Sequence, residues 1–320
     1  MDIVTIEVEV TAICDAAEGV RAFTLAGADG AKLPHFTAGA HVDVHLPGGL
    51  IRQYSLCGDP DLGGDYEIAV LREPLSRGGS VAMHEVQRGT RLRISAPRNL
   101  FPLEEMAEST LLFAGGIGIT PILAMAHRLH RLGRNFELHY CARTPARAAF
   151  LERLRALPFA ACIAPHFSDG VEMQRLNAAA LLANPAPGAH LYVCGPGGFM
   201  ERVFSSARAA GWPETHMHRE YFSAPAADGP GELAFAMEIA STGKVLNVPA
   251  GRTALQVLHN HGVDVAASCE QGLCGTCLIP ILSGIPDHRD IYLTDEEHAA
   301  NDQFTPCCSR AKSAKLILDL

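Results

Sequence analysis

The chain has 320 residues, of which 48% are hydrophobic and 19% charged, and its formal net charge is −9. This composition excludes a disordered chain, no apolar run is long enough to predict a membrane-spanning helix, and the negative charge argues against nucleic-acid binding, which needs clustered Lys and Arg. At about 100–200 residues per domain, the length predicts two or three domains. The start, MDIVTIEVEV, alternates like a strand and lacks the features of a signal peptide, so we expect a cytoplasmic protein.

Short strands with alternating apolar and polar residues fill the first segment, residues 1–103. VTIEVEV, HVDVHLP and YEIAVLR are examples, and glycine-containing turns such as Pro47–Gly49 lie between them. Short strands at close spacing predict an antiparallel barrel or sandwich.

Apolar runs alternate with helical stretches in the second segment, residues 104–224. The runs STLLFAGG, FELHYCAR and HLYVCGP predict strands, whereas PILAMAHRLHRLG and FMERVFSSARAAG have the pattern of helices. This alternation is typical of a parallel sheet with crossover helices.

A stretch rich in Pro, Gly and Ala is interpreted as an interdomain linker over residues 225–231. The last segment, residues 232–320, begins with a predicted hairpin, LAFAMEIASTGKVLNVP, and a predicted helix from Thr253 to His261. From residue 231 onward eleven acidic residues stand against six basic ones, a net charge of −5. Such a surface suits a domain that docks electrostatically on a partner, or one that is simply solvated.

Two motifs in the first segment have residues that suit a flavin nucleotide. The R-x-Y-S sequence from Arg52 to Ser55 can place a guanidinium on a phosphate, the Tyr54 ring against the flavin and a hydroxyl near its N5 atom. Further along, Arg77–His84 forms a glycine-rich turn that opens a short helix, and the free N–H groups of a helix start bind phosphate. Either motif alone is weak, since Tyr54 would also suit the core of an ordinary strand, but the pair is more specific.

Two motifs in the second segment have the context of a dinucleotide site. Ala114–Pro121, with the sequence AGGIGITP, follows a predicted strand and precedes a helix, although its spacing is not G-x-G-x-x-G. We expect Thr120 to cap this helix and Pro121 to occupy its first position. Cys194–Pro196 ends a later strand, where small residues leave room for a flat ring, while a buried core thiol is the alternative interpretation of Cys194.

The third segment contains the most specific motif, a run of cysteines at plant-type [2Fe–2S] spacing. Cys269, Cys274 and Cys277 are spaced C-x4-C-x2-C, and Cys307 follows after 29 intervening residues. Four thiolates are needed to hold the two ferric ions and two sulfides of such a cluster. A structural zinc site is the alternative, but it is usually built from paired C-x2-C knuckles.

The loop between these cysteines has the small residues that a cluster requires. Gly272, Gly275 and Thr276 allow backbone N–H groups to turn toward the sulfur atoms, and such hydrogen bonds help to set the potential. The adjacent Cys308 is interpreted as a packed thiol, because neighbouring cysteines do not easily ligate one cluster together.

In this order, the motifs resemble the phthalate dioxygenase reductase family, which includes the reductase components of vanillate O-demethylases and related Rieske oxygenases. The resemblance spans the whole chain. It is also carried by Asp287–Asp290, with the sequence DHRD, and by the ending from Cys307 to Leu320.

The resemblance implies a multidomain fold: an antiparallel β-barrel that binds FMN, an α/β parallel-sheet domain that binds NADH, and an α+β plant-type ferredoxin domain of the β-grasp type. FMN rather than FAD follows from the domain order of the family. Arg143 or Arg147 would also suit the 2′-phosphate of NADPH, so the preference for NADH follows from the family and not from these residues.

The site residues implied by the resemblance fall into three groups. Ser55, Cys194 and Phe222 are expected to be catalytic, with Phe222 as the aromatic residue near the flavin. The expected metal ligands are Cys269, Cys274, Cys277 and Cys307. The expected nucleotide-binding residues are Arg52, Tyr54, Ser55, Leu56, Arg72, Gly78, Gly79, Ser80, Gly115, Gly116, Gly118, Thr120, Pro121, Cys194, Gly195 and Pro196.

The implied function is electron transfer from NADH through FMN to a [2Fe–2S] cluster and on to a terminal Rieske oxygenase that acts on an aromatic substrate. The flavin has to stand between the other two, because a nicotinamide releases two electrons together and a cluster accepts them singly. Neither a nucleic acid nor a membrane is an expected partner. Three alternatives stay open: a reductase for a cytochrome P450, a carrier or redox sensor that uses only the cluster, and a structural zinc protein.

Overall fold

The computed structural model describes residues 5–74, 76, 78–222 and 233–320, without the side chain of Met173. The predicted linker at 225–231 therefore lies outside the described residues. The chain divides into two compact units, one up to Tyr221 and one from Phe222 onward. The boundary at residue 103, which falls inside the first unit, remains a prediction.

Six antiparallel strands form a barrel at the start of the first unit, as the alternating pattern predicts. The strands follow the order β4-β3-β6-β1-β2-β5, and a bridge between Leu56 and Ile68 joins the two edges. Inward-facing residues such as Val8, Val42 and Ile94 are fully buried in the barrel core. The elements are β1 (Thr5–Ala17), β2 (Val20–Gly27), β3 (His41–His45), β4 (Ile51–Ser55), β5 (Tyr66–Leu71), α1 (Gly79–Glu85) and β6 (Arg91–Ser95).

Five parallel strands follow, which confirms the second prediction. Their order is β11-β10-β7-β8-β9, so the order reverses between β7 and β10, and ligands of open α/β sheets bind at such a switch point. The elements are β7 (Ser109–Gly115), α2 (Ile119–Arg131), β8 (Phe136–Ala142), α3 (Leu151–Arg155), β9 (Ile163–Phe167), α4 (Ala178–Leu182), β10 (Ala189–Cys194), α5 (Gly197–Ala209) and β11 (Met217–Glu220).

The prediction for the start of α2 is wrong. The helix begins at Ile119, and Gly118 occupies the cap position without a side-chain hydrogen bond. Thr120 does not cap it, since its Oγ1 donates to the carbonyl of Ile117 at 3.1 Å. Pro121 is the third helical residue, still in the first turn where proline is tolerated. A 3₁₀ turn at Gly116–Gly118 starts the helical path earlier than the sequence pattern indicates.

The second unit is a mixed sheet with helices, which confirms the α+β prediction. The strand order is β13-β12-β18-β14-β16, with β12 and β18 parallel and the other pairs antiparallel. The predicted hairpin and helix are both present, and Thr253 caps the helix. The elements are β12 (Phe235–Ile239), β13 (Lys244–Val248), α6 (Ala254–Asn260), β14 (Ile279–Ser283), β15 (Pro286–Asp287), α7 (Asp295–Ala300), β16 (Gln303–Phe304), β17 (Arg310–Ala311) and β18 (Lys315–Leu318).

Among the described residues, every helix is too short or too polar to pass through a lipid bilayer.

Candidate functional site

The R-x-Y-S motif lies on β4, in which the residues before Ser55 are half-buried and Ser55 itself is buried. Tyr54 is half-buried, and this burial raises the pKa of its hydroxyl. Ser55 is 6% exposed and Leu56 is fully buried in the barrel core. The buried side chain of Leu56 is therefore not available to contact a nucleotide, so the predicted contact would have to come from its backbone.

The described part of the glycine-rich turn, from Gly78 onward, lies against the R-x-Y-S motif, whereas Arg77 lies outside the described residues. Gly78 has a φ of +92° and lies directly before α1. A Cβ atom at Gly79 would lie 2.5 Å from Cγ of Arg52, so only glycine allows the Arg52 side chain to cross the start of α1. Ser80 Oγ bonds to the Glu73 N–H at 3.1 Å and to Ser76 Oγ at 3.0 Å. An arginine beside a helix start fits a phosphate.

The two predicted nicotinamide motifs also meet, at the switch point between β7 and β10. A Cβ atom at Gly118 would overlap the carbonyl group of Cys194, and one at Gly195 would lie 2.9 Å from Cα of Gly115. The two turns thus approach each other backbone to backbone, which requires residues without side chains. Gly116 lies in the 3₁₀ turn before α2, and Pro196 occupies the cap position of α5.

Glu220 is a polar residue at this junction that sequence reasoning missed as a site residue. It ends β11 and pairs in register with Cys194 on β10. Ser55 Oγ donates a hydrogen bond to Glu220 Oε2 at 3.4 Å, although the two residues are 165 positions apart. Burial raises the pKa of Glu220 to about 8, so its carboxyl group is largely neutral at pH 7. The raised pKa of Glu220 follows from its tertiary contacts, and no sequence motif around Glu220 predicts it.

Cys194 lies beside this pair and is fully buried. Burial and the nearby Glu220 carboxyl raise the pKa of the Cys194 thiol well above its ordinary value. The thiol is thus protonated at neutral pH and is not an activated nucleophile. Ser55, Cys194 and Glu220 together form a neutral polar cluster where the barrel meets the parallel sheet.

Two predicted residues lie outside this cluster. Arg72 is exposed just after β5, and its N–H donates to the carbonyl of Gly19 at 2.9 Å. Phe222 is 37% exposed and belongs to the second compact unit. The predicted roles of Arg72 and Phe222 stay predictions.

The four cysteines of the predicted cluster converge in the second unit. Cys269, Cys277 and Cys307 are each 4% exposed, and Cys274 is half-buried. Hydrogen bonds with the Cys274 and Cys307 thiols hold the pKa of Cys269 far below its ordinary value. Cys307 also interacts with Cys277, so the four sulfur atoms form one connected group. An all-sulfur donor set of this kind fits a [2Fe–2S] cluster.

Backbone N–H groups of the loop turn toward these sulfur atoms, as the small residues predict. Gln271 and Leu273 both donate to Sγ of Cys269 at 3.3 Å, and Gly272 donates to Sγ of Cys307 at 3.2 Å. The left-handed backbone of Glu270, Gly272 and Gly275, with φ values of +53°, +73° and +67°, produces this arrangement. The hydrogen bonds stabilise negative charge on the sulfurs.

Cys308 lies beside the loop, half-buried. Its Sγ lies 3.3 Å from Oγ1 of Thr305, and a Cβ atom at Gly272 would lie 2.5 Å from the same sulfur. The Cys308 thiol also forms a hydrogen bond with the thiol of Cys307, one of the four expected ligands, so its interpretation as a packed thiol stays a prediction.

Two family models match the chain. The family described as "2Fe-2S iron-sulfur cluster binding domain" matches residues 237–312, which include all four cysteines. The family described as "Dimethylamine monooxygenase subunit DmmA-like, N-terminal domain" matches residues 91–217.

Curated relatives and solved structures match over nearly the whole chain. A vanillate O-demethylase oxidoreductase from Pseudomonas sp. (strain HR199 / DSM 7063) is 57% identical over 98% of this chain and 100% of its own length. The structure of phthalate dioxygenase reductase, described as modular for electron transfer from pyridine nucleotides to [2Fe–2S], has a TM-score of 0.81 at 36% identity and covers 99% of this chain and 98% of its own. An intact type IV self-sufficient cytochrome P450 monooxygenase matches 99% of this chain with 41% of its own, at a TM-score of 0.79 and 36% identity.

Proposed function

This chain belongs to the phthalate dioxygenase reductase family, and we propose that it takes electrons from NADH, passes them through FMN to a [2Fe–2S] cluster, and delivers them singly to a terminal oxygenase. The observation that carries the proposal is that one polypeptide builds both a four-cysteine centre and a junction of two nucleotide-type turns. A carrier that used only the cluster would have no need of the second feature.

The residues of the first unit hold and orient the two nucleotides. Arg52 and the start of α1 hold the flavin phosphate, while the glycine turns after β7 and β10 leave space for the dinucleotide. When bound, a flavin takes up an electron pair as a hydride and gives up electrons one at a time. The hydrogen bond from Ser55 to Glu220 lies beside Cys194, and with a pKa of about 8 the Glu220 carboxyl adds little negative charge to this junction at pH 7.

The residues of the second unit hold the one-electron centre. Cys269, Cys274, Cys277 and Cys307 are the ligands in this proposal, and the N–H groups of 271–273 stabilise their charge. Because the sulfurs are mostly buried, water is kept away from the centre and the loop fixes its position.

The partner that we propose is the oxygenase of an aromatic O-demethylase. Its support is the 57% identity to a vanillate O-demethylase oxidoreductase over the full length of that relative. The reductase itself does not touch the aromatic substrate, so mixing it with candidate oxygenases and measuring product formation tests this assignment.

A cytochrome P450 partner is the second candidate. It is favoured by the match to a self-sufficient P450, in which the equivalent region makes up 41% of one chain. Turnover with a P450 but with no Rieske oxygenase would favour this candidate.

The substitution Cys274→Ser tests the order of electron flow. We expect NADH to reduce the flavin of the variant at close to the normal rate, whereas reduction of cytochrome c falls at least about tenfold because the one-electron centre is lost. Stopped-flow absorbance measures the first rate and cytochrome c absorbance the second. Cys162→Ser, a cysteine outside the cluster, is the control. Unchanged cytochrome c reduction by the Cys274 variant would refute the proposed relay.

A further inference from the structure

Two exposed apolar side chains lie directly against the cluster loop. Ile291 and Tyr292 are 39% and 42% exposed. The N–H of Ile291 donates to the carbonyl of Gly272 at 3.0 Å, and the ring of Tyr292 occupies the place that a side chain at Gly275 would need. A protein that contacts Ile291 and Tyr292 therefore contacts residues that pack directly on the cysteine loop.

Acidic residues follow on the next element. Asp295, Glu296 and Glu297 form the exposed first turn of α7. Asp295 comes three residues after Tyr292, so their Cα atoms are at most about 11 Å apart. His298 on α7 also lies 3.3 Å from Oδ2 of Asp290, which ties the helix to the segment that carries Ile291 and Tyr292.

Two of these carboxylates, those of Asp295 and Glu296, have no direct partner within the described part of the unit. Glu297 is engaged in the capping box with Thr294, but no hydrogen bond or ion pair is recorded for Asp295 or Glu296 within the described ranges. Three of the six basic residues after position 231 have other partners. Arg289 pairs with Asp287, Arg310 donates to backbone carbonyls, and Lys315 pairs with Glu238.

We propose that Ile291, Tyr292, Asp295 and Glu296 form the docking face for the terminal oxygenase, which presents basic residues around an apolar contact. The inference rests on the proposed function and names the place where the electron leaves. One electron passes from the reduced cluster to one ferric centre of the acceptor, and no bond forms or breaks. An apolar centre with a charged rim is the ordinary anatomy of a transient interface, and opposite charge raises the rate of encounter.

Cytochrome c, a basic one-electron acceptor, serves as the probe in the test. The double variant Asp295→Lys/Glu296→Lys should lower kcat/KM for cytochrome c at least about tenfold at low ionic strength and weaken its dependence on salt. Glu172→Lys/Asp169→Lys in the first unit is the matched control, because it changes the net charge by the same amount and both residues are exposed outside the second unit. We expect the control to change the rate by less than about twofold.

Ile291→Ser tests the apolar part of the face. Its backbone bond to Gly272 is kept, so the loop stays in place while the apolar contact is removed. We expect kcat/KM for cytochrome c to fall about three- to tenfold with unchanged iron content.

Direct reduction of the cluster by NADH separates the two proposals. If NADH bleaches the cluster of every variant at the normal rate, the relay is intact and differences in cytochrome c reduction report docking. Equal effects of the lysine variants and their control, or no salt dependence in the unchanged protein, would overturn the docking face. Failure of NADH to bleach the cluster of the unchanged protein would instead refute the proposed function.

Discussion

Burial determines the protonation of one residue, Glu220. Its sequence position, at the end of a strand, gives no hint of an unusual carboxyl group. In the fold it meets Ser55 and Cys194, and burial raises its pKa to about 8. A glutamate that is neutral at pH 7 differs in charge from one on the surface, and only the tertiary structure distinguishes them.

The raised pKa of Glu220 predicts a pH-dependent stability. Its folded-state pKa of about 8 exceeds the ordinary glutamate value of 4.5, so the folded protein binds this proton more tightly than the unfolded chain. The resulting stability is present below pH 4.5 and decreases as the pH rises to about 8. Glutamine cannot ionise, so the stability of Glu220→Gln should not follow this pH dependence. Relative to the unchanged protein, we expect the variant to be less stable at pH 5 than at pH 9.

Thermal unfolding of both proteins across this pH range measures the effect. Glu172→Gln, at an exposed position, is the control and should run parallel to the unchanged protein. Parallel curves for the Glu220 variant would show that its carboxyl group is ionised in the fold at pH 7.

Gly275 illustrates a second residue-scale constraint, which combines backbone and contact. Its φ is +67°, and a side chain there would overlap the ring of Tyr292. Gly243 has the same φ of +67° but has no atom within 4 Å of the place where a Cβ would be. The two glycines thus separate backbone strain from collision.

We expect Gly275→Ala to lose at least about half of its bound iron, because the loop has to move away from Tyr292. Gly243→Ala should keep its iron and lose only about 1–2 kcal/mol of unfolding free energy through backbone strain. Iron analysis and the visible spectrum measure the first effect, and urea denaturation the second. Full iron content in both variants would contradict the packing described for Tyr292.

At the scale of elements, the sequence predicts well what its own periodicity controls. The barrel strands, the parallel strands and the long helices α2 and α5 all have clear patterns, and the structure contains them. The hydrophobic pattern does not predict the short helix α7, because this helix has six residues and no apolar face, and its sequence signal is the capping box of Thr294 and Glu297. The start of α2 was misplaced because a 3₁₀ turn precedes it.

The same distinction applies to the candidate site. Cysteine spacing predicts which sulfur atoms come together, since three ligands on one loop and a fourth at a distant position have a specific pattern. The meeting of Ser55 with Glu220 joins residues 165 positions apart, and no local pattern reports such a contact.

The capping box of α6 is an element-scale feature that can be tested. Thr253 Oγ1 accepts from the N–H of Gln256 at 3.1 Å, and Gln256 Oε1 accepts from the N–H of Thr253 at 3.1 Å. The N–H of Leu255, in the first turn, also donates to the carbonyl of Pro306, next to Cys307. The cap therefore stabilises a helix start that supports the cluster loop.

We expect Thr253→Ala to lower the unfolding free energy of the second unit by about 1 kcal/mol, because one N–H group loses its partner. Thr253→Ser keeps the hydroxyl and should stay within a few tenths of a kcal/mol. Urea denaturation followed by cluster absorbance measures both. Equal destabilisation by serine and alanine would mean that the methyl group, not the cap, matters at this position.

At the scale of the whole molecule, the first unit joins two architectures through an ion network. The loop after β4 carries Asp59 and Asp61, and α2 of the parallel-sheet region carries Arg128 and Arg131. Arg131 Nε bonds to Asp59 at 2.8 Å and Arg128 Nη1 to Asp61 at 2.9 Å. Arg128 also forms two bonds with Glu105, at 2.7 and 2.9 Å. This network links the barrel to α2, which directly follows the glycine turn at Gly116–Gly118.

The ion pairs of Arg128 predict that the barrel and the parallel sheet unfold together. Breaking these pairs should reduce the cooperativity of their unfolding. The hydrogen bond from Arg128 lowers the pKa of Glu105, so this contribution to stability is present at neutral pH and is lost as the pH falls through the lowered pKa. We expect Arg128→Ala to lower the unfolding free energy by about 1–2 kcal/mol, less in 1 M salt because the pairs are partly exposed. Arg128→Lys keeps the charge but not the forked geometry of the guanidinium, so its unfolding free energy should lie between those of the unchanged protein and Arg128→Ala.

Arg155 is the control, since it forms an exposed pair with Glu152 inside α3. Arg155→Ala should lower the unfolding free energy by less than about 0.5 kcal/mol. If both alanine variants lose the same stability, the network does not couple the barrel to the sheet; if only the Arg128 variant splits thermal unfolding of the first unit into two steps, the coupling is direct.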